Sequence, residues 1–202
     1  MKKLIFKVLG LSILFFLNSC GSSDNQFELI GNADVSDGTM IYVLQADQNN
    51  QPYIKDSTSV QSNSFKFKGV SSTPQISYIQ VEGVNGYVLA ILENGDIKAD
   101  IDKDDISNSK VYGTKSNDDF IKYKSETKSL VDVMNNISSE AQNAIMSGDV
   151  VTAMELEKEY NSKEREVMLY EWDFIVDNLD SYMSALLLEV FMIENKVNKD
   201  SI

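Results

Sequence analysis

The chain has 202 residues, 43% of them hydrophobic, with 31 acidic against 18 basic side chains and a formal net charge of −13. That apolar share can fill the core of one or two small domains, and the charge argues against nucleic acid, whose phosphates call for Lys and Arg. There is no His, which excludes His-ligated zinc sites and Ser-His-Asp or Cys-His catalysis.

The first twenty residues read as an export and lipidation signal, residues 1–19 being the leader. Lys2, Lys3 and Lys7 form a positive n-region, and Val8 to Leu17 is an apolar run shorter than the roughly 20 residues a membrane-spanning helix needs. The run ends in Leu17-Asn18-Ser19-Cys20, which resembles the lipobox of bacterial lipoproteins: Leu at minus three, a small residue at minus one, then Cys. The resemblance implies cleavage after Ser19, a thioether-linked diacylglycerol on Cys20 and a third acyl chain on its freed amine, such as palmitate. Loss of the three lysines takes the net charge to −16, so membrane attachment rests on lipid and not on a basic patch. Cys20 is the only cysteine, so the folded part uses neither disulfides nor a Cys-x-x-Cys. Residues 20–26 supply the lipidated Cys and a small, polar tether.

Composition changes near residue 115. Between Gly21 and Gly113 lie eight of the ten glycines and both prolines, whereas beyond residue 115 only Gly148 remains. Short β-rich runs recur in the first part: Phe27 to Ile30, Met40 to Gln45, Tyr53 to Lys55, Ser64 to Lys68, Ile76 to Val81, Tyr87 to Leu92, Asp96 to Ile101 and Lys110 to Tyr112. Phe65 and Phe67 alternate with Lys66 and Lys68, and Ile97, Ala99 and Ile101 with Lys98 and Asp100, the pattern of a sheet with one wet face. Asp37-Gly38 and Asn94-Gly95 mark tight turns. The expected fold is α+β: an antiparallel β-sandwich or open barrel of about eight strands over residues 27–115, then a three-helix segment over residues 116–202.

In that segment Phe120, Tyr123, Thr127, Leu130, Met134, Ile137, Ala141 and Ala144 keep an alternating three-and-four spacing along one seam of a long helix. Asn117 is placed to cap its start and Gly148 to end it, and Asp149 to cap a second helix. The second helix has a thinner stripe through Val150, Met154, Tyr160, Val167, Met168, Phe174 and Ile175, with Trp172 expected between helices. Asp180 or Ser181 opens a third helix through Leu186, Leu187, Phe191 and Met192.

Several stretches of the β part also carry a family resemblance. Gly31, Asp37-Gly38 before Ile41-Tyr42-Val43-Leu44, Asp56-Ser57-Thr58, Phe65-Lys66-Phe67-Lys68-Gly69, Glu93-Asn94-Gly95-Asp96-Ile97 and Val111-Tyr112-Gly113-Thr114 stand in one order and spacing over about residues 27 to 120. They resemble the domain of unknown function at the N-terminus of many Bacteroidetes envelope lipoproteins, ahead of a thioredoxin-like domain of the thiol-disulfide oxidoreductase or alkyl hydroperoxide reductase type. The helical part is similar to the connector that follows in that family, with Leu179 where members often have Pro. The sequence stops at Ile202, where the family's redox domain would begin, so no redox residue finds a counterpart.

The remaining candidates have ordinary readings. Asp100, Asp102, Asp104 and Asp105 look like a calcium loop, yet EF-hand spacing would put Asp105 at the required Gly and Val111 at the bidentate Glu. Glu155, Glu157, Glu159, Glu164, Glu166 and Glu171 read as a solvated helix face with Glu159 and Lys163 as an i, i+4 pair, and the helical methionines Met134, Met154, Met168, Met183 and Met192 as core filler. No catalytic, cofactor-binding or metal residue is assigned. The expected function is a lipid-anchored envelope protein, an outer-membrane lipoprotein facing the periplasm by default, acting as a non-catalytic docking module for an envelope protein or thioredoxin-like domain. The alternatives are the N-terminal portion of a truncated or split thiol-disulfide oxidoreductase and, less favoured, a carboxylate-only glycan hydrolase.

Overall fold

The computed structural model describes residues 25–193; the leader, the lipobox and Cys20 lie outside the described residues. Eight strands form where the period-two runs stand: β1 (Gln26–Ala33), β2 (Met40–Ala46), β3 (Pro52–Ser59), β4 (Ser64–Val70), β5 (Gln75–Val81), β6 (Val88–Leu92), β7 (Gly95–Ile101) and β8 (Lys110–Tyr112). They make two four-stranded sheets, ordered β4-β1-β7-β8 and β3-β2-β5-β6. Leu29, Phe67, Ile97 and Val111 of the first sheet share one buried core with Ile41, Val43, Ile79 and Val81 of the second. The two sheets stay separate, so the sandwich expectation holds and a closed barrel does not form.

The first sheet is not wholly antiparallel. β1 pairs with β4 antiparallel but with β7 parallel, from Phe27 opposite Gly95 to Ala33 opposite Ile101. The cause is topological: β7 returns to the first sheet after β5 and β6 in the second, and it enters beside β1 running the same way. β3 is longer than the Tyr53 to Lys55 run and exposes its first six residues. It is an edge strand, blunted by Pro52, by Lys55 and Asp56, and by a register break opposite Val43 and Leu44 of its neighbour.

Three helices follow: α1 (Lys115–Ser147), α2 (Val150–Asp177) and α3 (Tyr182–Ile193). Every seam residue of α1 from Phe120 to Ala144 is buried or half-buried, as the spacing predicts. Gly148 ends α1 at φ 79°, a left-handed conformation that glycine adopts without strain, and its N–H reaches the carbonyls of Ala144 and Ile145. Asp149 then caps α2, accepting from the Thr152 N–H at 3.1 Å and its hydroxyl at 2.8 Å. Of the two residues proposed to open α3, Ser181 does so, its Oγ accepting from the Met183 N–H at 3.1 Å. At about 1.5 Å per residue α1 and α2 span roughly 50 and 42 Å, whereas α3 spans roughly 18 Å. α1 and α2 therefore form a long antiparallel hairpin, and α3 completes a three-helix cluster only near its base, around Phe174, Ile175, Met183, Leu187 and Phe191.

Candidate functional site

The hairpin is fixed to the sandwich at its base by polar groups. The N-cap of α1 is Thr114, not Asn117, and its side chain makes no capping bond to the backbone. Asn117 lies inside the first turn, fully buried, and faces β6: its Oδ1 accepts from the Ile91 N–H at 2.9 Å, and its Nδ2 donates to the Ile91 carbonyl at 2.8 Å and to Thr114 Oγ1 at 2.8 Å. The capping work falls to Glu93, in the loop after β6, whose carboxylate accepts from the Ser116 N–H at 2.8 Å and hydroxyl at 2.6 Å. A carboxylate at a helix N-terminus satisfies an orphan N–H and complements the helix dipole. Lys124 adds a bond to the Ser107 carbonyl at 2.9 Å.

Above the junction, two tyrosines cross between the helices. Tyr123 of α1 donates to Glu171 of α2 at 2.5 Å, and Tyr170 of α2 donates to Glu126 of α1. Their rings, with Phe174, form an aromatic cluster with centroids 6.1 to 6.4 Å apart. Burial, and then the neighbouring carboxylate, hold both phenols well above their usual pKa. Phenols kept neutral against carboxylates make a structural clamp and release their protons reluctantly.

The distal half of the hairpin is different. Beyond the reach of α3, Ile137, Ala141 and Ile145 of α1 and Val150, Met154 and Tyr160 of α2 line an open groove of about 530 Å³. Ile145 is 67% exposed, Met146 86%, Val150 65%, Val151 69% and Met154 55%. The thin apolar stripe read along α2 is thus buried at Phe174 and Ile175 but bare at Val150 and Met154, because no third helix among the described residues covers that end. From residue 129 to 157 the sequence holds five acidic residues, Asp132, Glu140, Asp149, Glu155 and Glu157, and no Lys or Arg. Of the groove residues, Ile137 and Ala141 belong to the expected α1 seam and Val150, Met154 and Tyr160 to the expected α2 stripe, whereas Ile145 belongs to neither.

The other candidates have local roles. Asp102 accepts from the N–H groups of Asp104 and Asp105, which lowers its pKa; Asp105 caps a 3-10 turn at Ile106–Asn108, Asp104 pairs with Lys103, and Asp100 accepts from Asn32 and Tyr112. Of the α2 glutamates, Glu155, Glu157 and Glu159 are exposed, and Lys163 pairs with Glu166 at 2.8 Å instead of with Glu159. Glu171 stands apart from the solvated face, half-buried under Tyr123. Met183 is buried and Met134 and Met168 half-buried, but Met154 and Met192 are exposed, so only some of the methionines fill the core. Trp172 is 38% exposed, its ring stacked on Phe191 at 6.3 Å, and is not enclosed between helices. In the sequence Glu93 figures only within the family resemblance; its capping role is not legible there, because its partner, the start of α1, lies 23 residues further on.

No curated protein and no solved structure matches the chain. Residues 27–120, which cover the sandwich from the second residue of β1 and the start of α1 with Asn117, match the family model described as a domain of unknown function (DUF4369).

Proposed function

We propose that the protein is a lipid-anchored cell-envelope module, held in the outer membrane through acyl chains on Cys20 and facing the periplasm, which docks a partner and performs no chemistry of its own. The anchor reading rests on Lys2, Lys3 and Lys7, the apolar run and Leu17-Asn18-Ser19-Cys20. No helix of the described residues is long and apolar enough to cross a membrane. The docking reading rests on one observation above all: a hairpin, hydrogen-bonded at its base to the sandwich, whose far end leaves Ile145, Met146, Val150 and Val151 in solvent. Contiguous exposed apolar surface of this kind marks an interaction site. The lack of His and of a reactive Cys in the folded part agrees with a non-catalytic role.

A second reading, as the amino-terminal part of an envelope thiol-disulfide oxidoreductase, is favoured by a separate observation. Leu169, Trp172 and Val176 follow i, i+3, i+7 along α2, and all three are exposed, as are Leu179 and Ile193 toward the end of the described chain. A following domain would cover such a surface. The intact mass of the protein extracted from the membrane fraction with detergent separates the two. A mass equal to residues 20–202 plus acyl chains supports the anchored module. A mass larger by a domain supports the oxidoreductase, and an unlipidated mass in the soluble fraction overturns the anchor.

A further inference from the structure

The geometry points to the distal groove of the α1–α2 hairpin as a docking site for a cationic amphipathic helix of a partner protein, which would take there the place that α3 takes at the base. This rests on the docking reading above and names the class of partner.

Two helices alone cannot enclose a core, because each has an apolar stripe about 100° wide that two-helix packing covers only in part. At the base α3 closes the gap with Met183, Leu187 and Phe191. At the tip no other described residue does, and the groove between Ile137 and Ile145 of α1 and Val150 and Tyr160 of α2 stays open. The open stretch of α2 covers about three turns, or roughly 15 Å, a length that a helix of about ten residues spans with anchors at i, i+3 or i+4, and i+7.

Charge selects among occupants. The groove carries Glu157 on its wall, and the residues it spans, 137 to 160, hold five acids against one base, Lys158. A second copy would bring the same acids against themselves, and an anionic lipid surface would be repelled. A helix whose apolar stripe is flanked by Lys or Arg places its bases toward Glu157 and buries Ile145 and Met154. The occupant is therefore cationic and helical.

The test uses the full chain held in phosphatidylcholine nanodiscs and a fluorescein-labelled 14-residue Leu/Lys peptide of helical amphipathic period. A peptide of the same composition with the period scrambled is the control. The expected result is saturable one-to-one binding by the periodic peptide only, weakened tenfold or more by Ile145→Gln with Met154→Gln, and weakened with a flatter salt dependence by Glu157→Gln. Val176→Gln, on the exposed stripe near the base, leaves binding unchanged. These positions are solvent-exposed, and an unchanged melting temperature verifies each fold. Equal binding of the scrambled peptide, or binding that ignores the tip substitutions, overturns the proposal. So does a dimer in light scattering that the tip substitutions dissociate, which would make a second copy the occupant. Burial of the tip in the nanodisc lipid without peptide overturns it as well. The anchored-module reading fails separately, in the mass measurement, since peptide binding at the tip does not depend on acylation of Cys20.

Discussion

Asn117 hydrogen-bonds both backbone groups of Ile91, accepting from its N–H at 2.9 Å and donating to its carbonyl at 2.8 Å. β6 is the last strand of its sheet, so these groups face away from β5 and would otherwise be unpaired beneath α1. One side-chain amide closes the sheet edge as a neighbouring strand would, and in doing so sets the hairpin on the sandwich.

Asn117→Ala therefore strands two buried backbone groups, at about 1–3 kcal/mol for each. Urea unfolding followed by circular dichroism should show a loss of about 2–6 kcal/mol overall. Asn117→Asp keeps the acceptor but points a carboxylate at the Ile91 carbonyl, and it should be no less damaging. A loss below about 0.5 kcal/mol for Asn117→Ala would refute the edge-closing role.

Gly31 stands opposite Phe65 across β1 and β4, and Gly69 opposite Phe27. Each ring lies over a glycine with no room for a side chain: a Cβ on Gly31 would come within 2.0 Å of the Phe65 ring, and one on Gly69 within 2.6 Å of Phe27. Phe65 is buried and has nowhere to retreat. Gly31→Ala should cost about 1–3 kcal/mol by overpacking, seen as a lower thermal midpoint. Gly31→Ala with Phe65→Leu should recover part of that loss, which a purely backbone effect would not allow.

Tyr123 gives the helical cluster an alkaline limit. Its folded pKa is raised, by burial first and by Glu171 second, while in the unfolded chain it lies near about 10. The neutral phenol thus contributes its full stabilisation below about pH 10, and the contribution is lost as pH rises beyond it, because the unfolded chain releases the proton first. Denaturant midpoints measured from about pH 8 to pH 11 should fall more steeply for the natural chain than for Tyr123→Phe. Equal slopes would show that Tyr123 is not buried against Glu171 in the folded protein.

Trp172 is the only tryptophan, and it reports on α3 through its stacking on Phe191. Phe191→Ala removes a buried ring at a cost of about 3–5 kcal/mol and opens Trp172 to water. A red shift in emission, with the β-sheet signal retained, is the expected result. Unchanged emission would mean that α3 does not pack there.

The eight strands and three helices were legible in the sequence because their signals are local. Phe65-Lys66-Phe67-Lys68 must show one face to water as a strand, and the three-and-four spacing from Phe120 to Ala144 must show one seam as a helix. The charge, which argues against nucleic acid, and the absence of His were read without any structure at all. The arrangement of these pieces was decided by contacts between segments far apart in the chain. The parallel pairing of β1 with β7 joins residues about seventy positions apart, and no local pattern encodes it. Asn117 has the local signature of a helix cap, but tertiary structure spends its amide on Ile91 and gives the capping to Glu93. Likewise Val150 and Met154 have the spacing of core residues. Periodicity states which face of α2 is apolar, whereas only the tertiary structure shows that the described part of α3 covers Phe174 and Ile175 and not Val150 and Met154.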